Sequence, residues 1–266
     1  MQRLALVALA ALLSTPIAGC DPAKEPTQEE LDTKFARELE DADARIRNNK
    51  PDEAKKILSR LLEERPGDSR ATALLGKAHY AKSEYAEAVE LLKQAAAANP
   101  KDAETQYMLG ETYRYTDRFD EAATAYRAAF EADPENSDYG LALGIALLEA
   151  KKGADAETVL LEVLDLDPKA QDGAKTGANT FLGDAYRAQG KLDDALRAYM
   201  KAQTVNQSDK MAFAGAAFVY EDKEDVKHAL DQWSAYIQRD CCSEYSKTVA
   251  QKKITELEIP ADDAEE

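Results

Sequence analysis

Residues 69–102 read SRATALLGKAHYAKSEYAEAVELLKQAAAANPKD, and residues 103–136 read AETQYMLGETYRYTDRFDEAATAYRAAFEADPEN. The two blocks align without a gap. Numbered from 1 to 34, both place Leu-Gly at positions 7 and 8 (Leu75-Gly76, Leu109-Gly110), Ala at 20 (Ala88, Ala122) and Pro at 32 (Pro100, Pro134). Extending the frame outward finds Pro66 and Pro168 at the same 34-residue spacing, with Leu143-Gly144, Ala54 and Ala156 in step. A fixed period of this length marks a stack of small helical units, each too small to bury its own apolar face.

The columns say how such units pack. Position 24 carries Leu58, Leu92, Tyr126 and Leu160, and position 27 carries Leu61, Ala95, Ala129 and Val163. Gly at 8 and Ala at 20 let two helix backbones approach, and the bulky residues at 7, 11 and 24 fill the space beside them. With its period and its order of small, large and Pro residues, the chain resembles the tetratricopeptide repeat (TPR) family. Two further blocks follow an insertion of five residues, anchored by Leu182, Gly183, Tyr186, Ala195, Tyr199 and Ala202, then by Ala216, Ala217, Tyr220, Ala229 and Trp233. Gln207 and Cys241 stand where their prolines would be, and the first block departs with Ala42 at position 8 and Arg45 at 11. The resemblance implies an all-α, right-handed superhelical solenoid of about six helix pairs: residues 35–68, 69–102, 103–136, 137–170, 176–209 and 210–242.

Local signals agree with two helices per block. Asn99-Pro100, Asp133-Pro134 and Asp167-Pro168 punctuate the ends, because a residue before Pro is pushed out of the helical region. Ser83 and Asp117 suit N-caps of second helices, and Gly153 and Gly190 suit the left-handed residue that ends a first helix. Residues 243–259 space Tyr245, Val249, Ile254 and Leu257 as a solvating cap helix, and residues 260–266 form an acidic tail expected to be disordered.

At the N-terminus, Arg3 precedes an apolar run over residues 4–13 that is too short to span a bilayer, and Ile17-Ala18-Gly19-Cys20 follows. This resembles the lipobox of bacterial lipoproteins. The resemblance implies a signal peptide over residues 1–19, cleavage before Cys20 and lipid on that cysteine, with a signal peptide cut elsewhere as the alternative. Two or more acyl chains anchor a protein stably where one holds it marginally. Residues 20–34 would then be the lipidated cysteine and a tether, and residues 21–30 would reach at most ~35 Å from the head groups. Asp21 resembles the inner-membrane retention signal of enteric bacteria, with the outer membrane as the alternative; either way the solenoid would face the periplasm.

Composition narrows the function. Lys and Arg total 34 against 51 Asp and Glu, a net charge of −17, and loss of the leader would remove Arg3 and no acid. Such a chain lacks the basic face that phosphate recognition requires, which disfavours nucleic acid. No phosphate loop, HExxH or GxSxG motif occurs, so neither an enzyme nor a cofactor is expected. His79 and His228 stand on different repeats and read as structural histidines, so no metal site is expected. Cys241 and Cys242 are adjacent; a strained ring, a bridge to a partner and two free thiols remain alternatives.

Function should sit on the concave face, which in the TPR family is lined by the first helix of each repeat through positions 2, 5, 9, 12 and 13. Carried onto this sequence, those positions select Arg70, Lys77 and Tyr80; Tyr107, Glu111, Arg114 and Tyr115; and Leu141, Ile145 and Leu148. Further along they select Thr180, Asp184 and Arg187, then Met211, Phe218 and Glu221. A contiguous apolar and aromatic strip on a concave surface suits an extended peptide or an amphipathic helix as partner. The Lys and Asn clamp by which some relatives hold a chaperone's carboxylate is not matched, since position 9 reads Asp43, Lys77, Glu111, Ile145, Asp184 and Phe218. Six repeats behind a lipid anchor also resemble the pilotins of type IV pilus secretins, and an adaptor for cell-wall enzymes is a third reading.

Overall fold

The two helices of every repeat are joined by one recurrent turn. A computed structural model describes residues 26–166 and 177–258, and these form helices without any strand. The first three pairs are α1 (Gln28–Arg47) and α2 (Pro51–Glu64), α3 (Ser69–Ala81) and α4 (Tyr85–Ala98), and α5 (Ala103–Arg114) and α6 (Phe119–Ala132). The next three are α7 (Ser137–Glu149) and α8 (Gly153–Leu166), α9 (Ala178–Ala188) and α10 (Leu192–Val205), and α11 (Lys210–Asp222) and α12 (Val226–Arg239). A π-helical turn, Ser246–Ala250, then runs into α13 (Gln251–Glu258). The expected signal peptide and Cys20, the whole five-residue insertion and the acidic tail lie outside the described residues.

Position 15 is left-handed in all six pairs, at Asn49, Ser83, Asp117, Lys151, Gly190 and Glu224, with φ between 56° and 73°. The amide that follows donates back five residues in every case, as from Glu84 to the His79 carbonyl and from Arg118 to that of Tyr113. This is the Schellman closure of a helix C-terminus. It corrects the expected caps: Ser83 and Asp117 end first helices, Glu84 and Arg118 stand at the N-caps of α4 and α6, and Gly153 is already helical. Gly190 serves as expected. Five of the six residues are not Gly, so each accepts a left-handed cost of about 1–2 kcal/mol that the two satisfied carbonyls offset.

Four first helices, α3, α5, α7 and α11, begin at a different recurrent signal, Asp or Asn two residues after position 32, whereas α9 begins at Gly177 without a capping side chain. The Asp68 carboxylate accepts from the Ala71 amide, Asp102 from Thr105, and Asp209 from Met211 and Ala212. Helix α1 starts earlier than expected, inside the stretch read as tether, because Thr27 and Glu30 form a reciprocal capping box. Phe35, Leu39, Ala42 and Ile46 line its buried stripe, so the departures at positions 8 and 11 do not remove the helix.

Packing follows the columns. Every position-20 alanine (Ala54, Ala88, Ala122, Ala156, Ala195, Ala229) is fully buried. At position 8, a Cβ added to Gly76, Gly110, Gly144 or Gly183 would lie 2.5–2.8 Å from the position-24 side chain of its own repeat, Leu92, Tyr126, Leu160 or Tyr199. Between repeats, α1 meets α3, α3 meets α5, α7 meets α9 and α9 meets α11, with no comparable approach between successive second helices. First helices therefore crowd into the inner, concave wall and second helices splay on the outer one. At the C-terminal end, Tyr245, Ile254 and Leu257 cover the cluster around Trp233 and Tyr236, as a cap helix should.

Gly144→Ala should lower stability by about 1–3 kcal/mol through overpacking against Leu160, although Ala is the better helix former by about 1 kcal/mol. Chemical denaturation of the two proteins measures it, and an unchanged or raised midpoint would refute the packing role of position 8.

Candidate functional site

The concave face divides into a charged end and an apolar middle. At the charged end, α1, α3 and α5 enclose a cavity of about 370 Å³ whose floor includes Leu39, Leu74 and Met108. Its rim is ionic. The Lys77 ammonium reaches Asp43 at 3.0 Å and Glu104 at 3.1 Å, tying three successive first helices together. Burial works against the charge of Lys77, but those two carboxylates outweigh it and raise its pKa. Arg47 holds the other oxygen of Asp43 at 3.1 Å, and Arg70 and Glu40 complete the rim. Of the expected groove residues, Arg70 and Lys77 are thus brought together.

Next along the face, Tyr80 and Tyr115 form an aromatic trio with Tyr85, ring centroids 5.6–5.8 Å apart. Tyr115 is 57% exposed and presents its ring to solvent. Tyr107 packs against Tyr126 and Tyr139, and burial, then the nearby Glu111 carboxylate, push its hydroxyl up to about 12. Arg114 clamps Glu149 of the next first helix through two bonds of 2.8 and 3.0 Å, a bidentate pair that holds neighbouring repeats in register. In the middle, Leu141 and Leu148 are half-buried against the main core, and Ile145 is half-buried beside them. Farther on, Arg187 lies over the Phe218 ring at 5.1 Å, and Phe218 meets Trp233 edge-on at 4.9 Å.

Three acids assigned to the groove are committed to the core instead. Glu111 accepts from the Tyr126 hydroxyl at 2.5 Å, Asp184 from Tyr199 at 2.6 Å, and Glu221 from the Trp233 indole at 2.6 Å. Each donor is a fully buried side chain at position 24. A polar group taken out of water in this way must find a partner, and the first helix of the same repeat supplies it. The sequence columns show the pairing only in part: both repeats with Tyr at position 24 carry an acid at position 9, but Asp43 stands there opposite Leu58, and the Trp233 repeat supplies its acid from position 12. Thr180 is buried too, donating to Asp209 at 2.5 Å. Conversely, Glu40 and Met108 line the groove cavity although the transferred positions did not select them, and Glu104 lines it from position 2 although it was not among the residues named there. Position 6, which holds Glu40, Leu74, Met108 and Phe181, is the column that would have found most of them.

The remaining singled-out residues have ordinary surroundings. His79 sits 2.7 Å from Glu84 beside Lys55, and His228 stacks on Tyr220 next to Asp225. Cys241 and Cys242 are exposed, with their sulfurs 2.8 Å apart.

Asp184 generates a pH prediction. Burial raises its pKa above the ordinary 3.8, with the Tyr199 bond opposing. Its contribution to stability is complete below 3.8 and is lost as pH rises through the raised value. Asp184→Asn should therefore gain stability relative to the natural protein as pH climbs from about 4 to 7; denaturation midpoints that run parallel across that range would refute this.

Comparison with known proteins follows the geometry. Two family models, both described as tetratricopeptide repeat, match the chain, one over residues 39–103 and 107–171 and the other over 176–209. No curated protein sequence matches. Among solved structures, YrrB, described as a TPR protein with an unusual peptide-binding site, shares 21% identity over 73% of this chain and 97% of its own, with a TM-score of 0.58. Pseudomonas aeruginosa PilF shares 18% over 83% and 98%, at 0.63, and MamA from Desulfovibrio magneticus shares 21% over 67% and 98%, at 0.58. At such identities these neighbours speak for the fold. The family models cover more than half of the sequence, and the helix pairs repeat their packing in every block: the chain belongs to the tetratricopeptide repeat family.

Proposed function

We propose that this protein is a lipid-anchored scaffold of the bacterial envelope whose concave face receives a segment of another protein and so assists assembly or positioning of a complex. The observation that carries the reading is the strip formed by Tyr115, Tyr107, Leu141, Ile145 and Leu148, half-buried or exposed along the inner wall. Rigid aromatic and aliphatic area of this kind supplies most of the energy in protein interfaces. TPR proteins typically mediate protein–protein interaction and are generally non-enzymatic, which agrees. The anchor rests on the Ile17-Ala18-Gly19-Cys20 pattern, with Asp21 favouring the inner membrane.

Tyr107 and Leu141 pack on the core, so truncating them would also cost stability. Tyr115→Ala with Ile145→Ser is the cleaner probe. Crosslinking in cells followed by identification of co-purifying proteins should show one envelope partner that the double variant loses while its circular dichroism is unchanged. A partner retained by the variant would move the site off this face. For the anchor, Cys20→Ala should abolish the lipid mass on the mature N-terminus and release the protein from membranes; a membrane-bound variant of unchanged mass would refute lipidation.

A second reading is a pilotin-like role in assembling a type IV pilus secretin. The similarity to Pseudomonas aeruginosa PilF, which spans 83% of this chain and 98% of that one, favours it. Intact secretin multimers in a strain lacking this protein would count against it.

A further inference from the structure

We infer that the segment received by the concave face is cationic, carrying Lys or Arg among aliphatic residues. The inference rests on the groove reading above and adds the chemistry of the partner. Most of the face's own cations are already committed. Lys77 lies between Asp43 and Glu104, Arg47 is on Asp43, Arg114 is clamped to Glu149, and Lys253 from the cap holds Glu221 at 2.7 Å. Arg70 on the cavity rim makes no ion pair among the described residues, and two carboxylates remain over as well. Glu40 on the cavity wall makes no ion pair among the described residues. Nor does Asp138, whose charge acts on the hydroxyls of Tyr107 and Tyr139.

Lys77 displays the arrangement that such carboxylates favour, an ammonium between two acids above an apolar floor. A partner's Lys or Arg would repeat it beside Glu40 or Asp138. Beside Asp138 its alkyl stem would lie along Leu141 and Ile145 of the same helix, and beside Glu40 along Leu39 and Leu74, since long basic side chains cover apolar surface while their heads reach charge. The open ring of Tyr115 offers a face of the kind that attracts cations. At long range the net charge of −17 draws a cationic segment in and repels an acidic one.

The test uses the full chain in detergent micelles and two fluorescein-labelled amphipathic peptides of equal length, one of Leu and Lys and one of Leu and Glu, with binding read by fluorescence anisotropy. The Lys peptide should bind tighter, and added salt should weaken it. Glu40→Gln with Asp138→Asn should weaken it about fivefold, whereas Glu87→Gln with Glu131→Gln, an equal charge change on the outer helices α4 and α6, should not. Tighter binding of the Glu peptide overturns the cationic assignment and leaves the groove standing, whereas equal loss from both pairs of substitutions assigns the attraction to overall charge and overturns the inference that these carboxylates select the partner. Failure of both peptides to bind counts against the groove itself.

Discussion

Each helix pair is closed by a large side chain at position 24 lying on a residue with little or no side chain at position 8: Leu92 on Gly76, Tyr126 on Gly110, Leu160 on Gly144, Tyr199 on Gly183. In these four pairs the contact leaves no room for even one methyl group and so sets the distance between the two backbones, while the first and last pairs carry Ala42 and Ala217 at that position. With that distance repeated, the Schellman turn at position 15 fits in all six places and the Ala at position 20 is sealed from water. Neighbouring repeats then stack by the same surfaces, and the first helices are left side by side as one continuous wall.

The same contact reaches into the binding face. Where position 24 is Leu, the closure is wholly apolar. Where it is Tyr or Trp, the buried hydroxyl or indole must be satisfied, and a carboxylate from the first helix does so. These acids sit on the wall that also faces the groove. Core and groove are therefore built from adjacent positions of one helix, and part of the groove's acidity is a consequence of how the core is closed. The remainder is ionic trussing between repeats, through Lys77 and Arg114, which fixes the spacing at which a partner's side chains would meet the wall.

Much of this was legible without coordinates. The period, the small and large columns and the helix pairs all rest on repetition, and repetition is a property of sequence. Departures were confined to places where two local rules compete. Ser83 and Asp117 are good N-cap types, yet the turn needed a left-handed residue at that position more than a capping side chain, and the cap fell to the following residue. Thr27 and Glu30 extended α1 backward because a capping box can start a helix in a polar segment that carries no apolar period.

The sequence by itself determined the architecture and the membership in a repeat family, because each repeat restates the same short-range packing problem and its answer can be read from a column of residues. Only the tertiary structure decided which side chains of the inner wall are free. Glu111, Asp184 and Glu221 stand at positions that the family pattern would give to a ligand, and they are occupied by donors 12–15 residues away in sequence. Glu40 and Asp138 are left open by their surroundings rather than by their identity. Whether a polar group is spent or available depends on what lies across the helix interface, and that is settled by distance in space.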